Sequence, residues 1–210
     1  MPAVPDHHVR IFDAIAPLYD LFFPFQRRSF RRTLHRFGSL LNLAQGMRAL
    51  DIGCGPGAFA WELAVRGLQV TAIDPSRAMV ARARRRLSGT EVEVAYGNPL
   101  QGLPYPDRSF DIVLASHVVH GLGAGDRQRF YREALRLSRG LILIHDFPPA
   151  DLAKGAIDVK VIEFIEGGDY LRFVRRGRKE MEQAFGKVRV VLVEPAAAWY
   201  IGSAGKRSSE

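Results

Sequence analysis

A glycine-rich turn directly after a short apolar run constrains the fold of this chain more than any other feature. Leu50-Asp51-Ile52 leads into Gly53-Cys54-Gly55-Pro56-Gly57, and residues 58–66 have the pattern of a helix. Glycine lets a backbone turn sharply and approach a ligand closely, and the N-terminus of the next helix attracts negative charge. The pattern therefore predicts a strand, a ligand-binding loop and a helix in succession.

The rest of the chain indicates an α/β fold. After Gly46, short apolar runs alternate with amphipathic stretches, which is typical of a parallel sheet with crossover helices. The last two apolar runs flank Pro195 so closely that they must pair as an antiparallel hairpin. We predict a Rossmann-like mixed sheet of about seven strands, mostly parallel with an antiparallel C-terminal hairpin strand, helices on both faces and an N-terminal helical cap. The predicted strands are 48–52, 69–73, 91–95, 110–115, 141–145, 187–193 and 198–201, and the predicted helices are 7–20 (broken at Pro17), 25–43, 58–66, 76–87 (capped by Ser76), 126–137 and 178–185.

Two acidic residues around the turn narrow the range of ligands that it could bind. Asp74 ends the next predicted strand, 21 residues after Gly53, where a carboxylate can accept both hydroxyls of a ribose. Gly53-x-Gly55-x-x-Ala58 also fits a dinucleotide pattern. Asp51, however, would repel a pyrophosphate and suits the ammonium group of a methionine moiety. The alternative, that Asp51 only caps loop amides, stays open.

These segments resemble the class I methyltransferases that use S-adenosylmethionine. The resemblance is to the small-molecule branch with ubiquinone/menaquinone-biosynthesis C-methyltransferases (methyltransferase type 11 domain). It is carried by Phe12 to Asp20, Ala49 to Leu63, Val70 to Ser76 and the stretch from Tyr96-Gly-Asn98-Pro99-Leu100 to Asp111. It implies that S-adenosyl-L-methionine donates a methyl group to a small-molecule acceptor by in-line displacement, leaving S-adenosyl-L-homocysteine.

The resemblance also implies a set of cofactor-binding residues. The glycines would cradle the methionine and ribose portions, with Asp51 near the amino group and Asp74 on the ribose. Asn98 and Pro99 replace the Asp and Ala that relatives usually have beside the adenine, and an Asn carbonyl can still accept from its amino group. The full set is Asp51, Gly53, Cys54, Gly55, Gly57, Asp74, Pro75, Ser76, Asn98, Pro99, Ser116 and His117.

Methyl transfer requires an in-line nucleophile about 3 Å from the methyl group, and positioning supplies much of the acceleration. A general base helps when the acceptor is a hydroxyl, a thiol or an activated carbon. The candidates are His117, His120, His145 and Tyr19. The histidines follow two predicted parallel strands, so we expect them to face one crevice. The competing interpretation is that each is a hydrogen-bonded wall residue. The loose spacing of 117, 120 and 145 is why we predict no metal site.

The acceptor is expected to be walled by the first helices and by an irregular segment, residues 147–176. Three arginines of that segment would meet a carboxylate or phosphate on the acceptor, or else form a solvated face. We expect Cys54 to be structural and Asp111 to support the fold. The candidate lining residues are Tyr19, Phe22, Phe23, Phe164, Tyr170 and Phe173, with Arg172, Arg175 and Arg176. The predicted layout, a single domain overall, is a helical cap (1–45), a cofactor-binding core (46–146), a lid or wall (147–176), a closing helix and strands (177–202) and a flexible tail (203–210).

The net charge of +8 raises the question of a polyanionic partner. Of the 30 basic residues 25 are arginines spread over several segments, so a nucleic-acid partner is disfavoured. Peripheral membrane contact by the basic N-terminal helix stays open. The single cysteine, and the lack of an apolar run near the ~20 residues of a membrane span, favour a cytoplasmic protein. The alternatives are an RNA or tRNA methyltransferase, a non-catalytic protein that binds S-adenosylmethionine, and, least favoured, a nicotinamide oxidoreductase.

Overall fold

The computed structural model describes residues 6–152 and 169–205, and for residues 6–21 it describes the backbone alone. The chain divides into two compact units, Met1–Leu103 and Pro104–Glu210. We describe each unit by itself.

The first unit is a parallel β/α arrangement preceded by a long helix. Its sheet has the order β3-β2-β1, with Asp51 beside Ala72 and Asp74 beside Tyr96 in the register. The elements are α1 (Asp6–Phe37), a 3-10 turn (Gly38–Leu41), β1 (Arg48–Ile52), α2 (Ala58–Ala64), β2 (Gln69–Asp74), α3 (Arg77–Arg86) and β3 (Glu93–Tyr96). Ser76 caps α3 as predicted, since its hydroxyl accepts the backbone N–H of Met79 at 3.1 Å.

One continuous helix replaces the two that the sequence predicts at the N-terminus. α1 runs without interruption through Pro17 and Pro24. An interior proline costs a helix about 3 kcal/mol, but α1 packs along both α2 and α3, and Phe23 and Leu34 are buried there. Tertiary packing therefore outweighs the local preference.

The second unit combines a parallel pair with an antiparallel hairpin, in the order β4-β5-β7-β6. β4 and β5 are parallel, while β7 lies between β5 and β6 and is antiparallel to both. The elements are β4 (Phe110–Ser116), a 3-10 turn (Val119–Gly121), α4 (Ala124–Leu137), β5 (Ser138–Asp146), α5 (Tyr170–Phe185), β6 (Arg189–Glu194) and β7 (Ala197–Ser203). Seven strands of a mixed, mostly parallel sheet with a C-terminal hairpin confirm the predicted fold class.

Helix α5 begins eight residues before its predicted start at 178, inside the segment predicted to be irregular. Its buried face comprises Tyr170, Phe173, Gly177, Met181 and Phe185, at helical intervals of three and four. In the sequence, the arginines that lie between these residues hide the helical spacing of the buried positions. Residues 153–168 of the predicted lid, including Phe164 and Gly167-Gly168, lie outside the described residues.

A fully buried arginine connects α4 to α5. Arg127 binds Glu180 at 2.6 Å and Asp169 at 3.2 Å. Buried charges are stable only when paired in this way. None of the described helices combines the length and the apolar character that crossing a membrane requires.

Candidate active site

The glycine turn has the backbone that its sequence predicts. Gly53, Gly55 and Gly57 have φ angles of 72°, 53° and 88°, in the left-handed region that favours glycine. A Cβ atom at residue 57 would lie 2.5 Å from a methyl carbon of Leu87, whereas nothing lies within 4 Å of a Cβ position at residue 55. The turn therefore packs tightly against the end of α3 on one side and leaves open space beside Gly55.

Asp74 holds this turn in place. One oxygen of its buried carboxylate accepts the backbone N–H of Gly55 at 2.9 Å, and the other accepts the N–H of Ser76 at 2.8 Å. The residue predicted to bind a ribose thus also fixes the loop. Pro75, between Asp74 and Ser76, is half-buried.

Asp51 is the unusual group of the first unit. Its side chain is 1% exposed, and neither carboxylate oxygen has a hydrogen-bond partner in the described part of the chain. Burial, reinforced by the negative charge of Asp74, raises the pKa of Asp51 to about 7. The backbone amide of Ala60 offsets part of this rise in pKa, but it does not meet the geometry of a hydrogen bond. The alternative that Asp51 caps loop amides is therefore wrong. A buried, unpartnered carboxylate is costly, and a ligand ammonium group would satisfy it.

The other predicted contacts of the first unit are mostly buried. Burial raises the pKa of the Cys54 thiol well above its usual range, so the thiol stays protonated and is a poor nucleophile. The side-chain carbonyl of Asn98 accepts the backbone N–H of Leu100 at 3.0 Å, which shapes the turn after β3, and Pro99 is buried beside it. The adenine contact of Asn98 and Pro99 stays a prediction.

In the second unit the structure brings together the three predicted histidines. Ser116 ends β4, and the ring of His117, which follows it, lies 5.1 Å from that of His145 and 6.2 Å from that of His120, between centroids. His117 donates its backbone N–H to the carbonyl of His145 at 2.8 Å. Its φ of 53° is unfavourable for a residue with a side chain, and its imidazole is 42% exposed. Such strain is concentrated at functional sites.

Sequence reasoning missed the residue that organises this group. Asp146, fully buried at the end of β5, has one carboxylate oxygen 2.7 Å from Nδ1 of His120 and 3.9 Å from Nδ1 of His117. The other oxygen accepts the backbone N–H groups of Val119 and His120, and the first also accepts that of Phe147. The signal available in the sequence was an acid directly after His145 at a strand end.

The charge state of Asp146 follows from these contacts. Burial alone would raise the pKa of Asp146, but His120, His117 and the amide of Phe147 lower it to about 2. The carboxylate is therefore ionised at neutral pH. The three ligand-type atoms of His117, His120 and Asp146 lie within 4.8 Å of one another. The 2.7 Å separation between His120 and Asp146 is that of a charge-assisted hydrogen bond.

His145 is placed differently from its two neighbours. It is 2% exposed, and its Nδ1 accepts the indole N–H of Trp199 at 2.9 Å. Burial, with a contribution from His117, lowers the pKa of His145 to about 3. The ring is therefore neutral and fixed, which favours a structural role.

The remaining candidates of the second unit are aromatic or basic. Phe147 packs edge-on against both His120 and Tyr170, with centroid distances of 4.8 and 4.6 Å. Tyr170 and Phe173 are buried on α5. Asp111 binds Arg139 at 2.6 Å, in keeping with a structural role. Three arginines line a cavity together with Asp169 and Leu171: Arg172, Arg175 and Arg176.

The candidates on α1 separate into two kinds. Phe23 is buried and its ring meets that of Trp61 edge-on at 6.5 Å, whereas Phe22 is 48% exposed. The side chain of Tyr19 lies outside the described residues, so its role stays a prediction.

Comparison with known proteins identifies the family. Residues 49–140 match the profile of a family described as "Methyltransferase domain". The chain is 33% identical over 169 residues to 27-O-demethylrifamycin SV methyltransferase of Amycolatopsis mediterranei, and 31% identical over 164 residues to demethylmenaquinone methyltransferase of a Parafrankia species. The chain is therefore similar to the class I S-adenosylmethionine-dependent methyltransferases.

The two alignments cover 73% and 68% of this chain, and 61% and 63% of the relatives. The chain thus spans less than two thirds of the length of these curated relatives. Among solved structures, an S-adenosylmethionine-dependent methyltransferase from Aquifex aeolicus has a TM-score of 0.61 at 22% identity, covering 81% of this chain and 89% of that one. A likeness at that identity shows the fold of the chain.

Proposed function

We propose that the first unit binds S-adenosylmethionine and that the chain transfers the methyl group to a small-molecule acceptor, releasing S-adenosylhomocysteine. The observation that carries the proposal is the buried Asp51 carboxylate, which has no hydrogen-bond partner among the described residues and lies on the strand that leads into the glycine turn. Bound S-adenosylmethionine supplies an electrophilic methyl group on a sulfonium sulfur.

Different residues of the first unit would bind different parts of S-adenosylmethionine. Asp51 would pair with the ammonium group of the methionine portion, because a cation is the partner that its buried charge needs. Asp74 would accept from the ribose hydroxyls while holding the amides of Gly55 and Ser76. A rigid loop loses little conformational freedom when the ligand binds.

For the acceptor, we assign proton removal to His120. Asp146 accepts from Nδ1 of His120, which places the second ring nitrogen in its proton-accepting form, and it stabilises the imidazolium that forms. His117 would contact the acceptor, since its ring is the exposed one. His145 would hold the backbone of His117 and keep a neutral ring. This arrangement suits an acceptor that loses a proton, such as a hydroxyl or a carbon activated by one.

Two measurements test this function. Titration calorimetry with S-adenosylmethionine should show one site in the wild type and at least about tenfold weaker binding in Asp51→Asn, since hydrogen bonds to charged groups contribute about 1.5–3 kcal/mol. No binding at millimolar ligand would refute the proposal. A panel of phenols, hydroquinones and polyketides is then screened for release of S-adenosylhomocysteine, with His120→Ala as the inactive control.

The panel also discriminates the competing functions. Tight cofactor binding without product from any small molecule would favour a non-catalytic binding protein, and methylation of tRNA alone would favour an RNA enzyme. We further propose a cytoplasmic location, which the single, buried cysteine supports.

A further inference from the structure

Two helical stretches of the first unit carry positive charge without any acidic residue. The stretch from Phe22 to the end of α1 has five arginines, and α3 has another five. The guanidinium of Arg86, at the end of α3, lies 5.1 Å from the ring centroid of Phe23 on α1. The two helices therefore contribute to one basic surface.

Part of this charge is neutralised within the unit. The buried carboxylate of Glu62 on α2 forms ion pairs with Arg27 at 3.0 Å, Arg31 at 3.3 Å and Arg66 at 3.4 Å. Because three arginines share one carboxylate, an excess of positive charge remains. These pairs also hold α1 on α2.

Another face of α1 combines exposed arginines with exposed aromatic rings. Phe22, Phe25, Arg28 and Arg32 follow one another at intervals of three, three and four residues, which places them along one side of the helix. We call these four residues the α1 face. Phe22 is 48% and Phe25 is 70% exposed. Arg28 and Arg32 are exposed and form no ion pair with any residue that the structure describes.

We propose that the α1 face docks on the surface of an anionic lipid bilayer. Arginines near such a surface are attracted by its negative potential, and phenyl rings beside them insert at the boundary between headgroups and acyl chains. Single-stranded nucleic acid is the less suitable partner, because its sites place aromatic rings along a basic groove that follows the backbone. Here the two rings are adjacent and precede both arginines. The proposal is independent of methyl transfer, since docking requires neither cofactor nor acceptor.

Vesicle sedimentation of the full chain tests the docking. We expect binding to phosphatidylcholine vesicles that contain phosphatidylglycerol, weak binding to phosphatidylcholine alone, and binding to the anionic vesicles that weakens as salt rises. Removing one arginine from the surface should weaken binding about fivefold, so Arg28→Glu/Arg32→Glu should weaken it at least about thirtyfold. Phe22→Ser/Phe25→Ser should abolish the binding that persists at high salt.

A matched control distinguishes binding through the α1 face from binding that depends on net charge alone. Lys187→Glu/Arg189→Glu makes the same charge change at exposed positions of the second unit. The proposal would be overturned if the two charge variants lost vesicle binding equally, or if the wild type did not bind anionic vesicles. It would also be overturned if tRNA displaced the vesicles from the wild type and bound the phenylalanine variant as tightly as the wild type. Thermal unfolding and S-adenosylmethionine calorimetry of each variant show that the fold and the cofactor site are intact, so a failure here is distinct from a failure of the proposed function.

Discussion

Asp51 and Asp74 are buried carboxylates on adjacent parallel strands, yet Asp74 accepts two backbone hydrogen bonds while Asp51 has no hydrogen-bond partner among the described residues. Asp51 is therefore the group whose charge state a ligand can change. Its pKa of about 7 places that change at physiological pH.

The first prediction concerns the pH dependence of cofactor binding. A ligand ammonium group favours the ionised form of Asp51, so S-adenosylmethionine should bind more tightly as pH rises from about 6 to 7, and binding should release protons. Calorimetry in buffers of different ionisation enthalpy measures the release. Asp51→Asn should bind weakly with no such dependence, and equal proton release by this variant would contradict the assignment.

The second prediction is that Asp51→Asn stabilises the protein without ligand. The pKa of Asp51 is about 7 in the folded state against an ordinary value of 3.8, so the folded state holds the extra proton between these two values. The contribution of Asp51 to stability therefore falls as pH rises from about 4 to 7, by up to about 1.4 kcal/mol per pH unit. Thermal unfolding should show that the advantage of Asp51→Asn grows across this window and then stays constant. An advantage that is the same at both ends of the window would be inconsistent with a raised pKa.

The third prediction concerns the loop function of Asp74. Asp74→Ala leaves the N–H groups of Gly55 and Ser76 without their acceptor, and each orphaned group costs about 1–3 kcal/mol. We expect lower thermal stability and at least hundredfold weaker cofactor binding, an order-of-magnitude expectation from the same source. Glu91→Ala, which removes an exposed carboxylate just before β3, is the matched control and should alter neither. Unchanged stability of Asp74→Ala would show that the carboxylate does not hold the loop.

The fourth prediction is that Asp146→Asn impairs turnover but not cofactor binding. Losing the partner of His120 should lower kcat by about 10²–10⁴ for the acceptor found in the panel, as for a base that loses its orienting carboxylate. The acidic limb of the pH profile, where protonation of His120 stops turnover, should also change. The geometry also allows His117, His120 and Asp146 to be metal ligands, and elemental analysis decides between the two roles. Stoichiometric metal in the wild type that is absent from Asp146→Asn would assign these three residues as ligands.

The fifth prediction separates His145 from His120. Trp199→Phe removes the indole N–H that His145 accepts, leaving a buried acceptor unpaired at a cost of about 1–3 kcal/mol. We expect a lower melting temperature and nearly unchanged kcat. A loss of turnover as large as that of His120→Ala, in folded protein, would assign catalysis to His145 as well.

The features predicted from sequence were those that local chemistry determines. The glycine turn requires positive φ angles at Gly53, Gly55 and Gly57, and two apolar runs around Pro195 can pair in only one way. Such constraints act within a few residues, so the sequence contains them.

The features missed depend on contacts between distant residues. His145 and Asp146 are neighbours on β5, and successive side chains of a strand point to opposite faces. Nothing local indicates that His145 turns to Trp199 while Asp146 turns to His120. The unbroken course of α1 through its prolines likewise depends on its packing against α2 and α3.

The left-handed backbone at His117 limits the diversity that protein engineering can introduce there. Glycine and asparagine adopt this conformation at low cost, whereas valine, isoleucine and threonine would place a branched Cβ against the backbone. In a library of variants at position 117, many substitutions will thus prevent folding, and only the remaining variants can be tested for a changed acceptor preference. Diversity is better placed at Phe147, whose ring packs on His120 from a position without a positive φ.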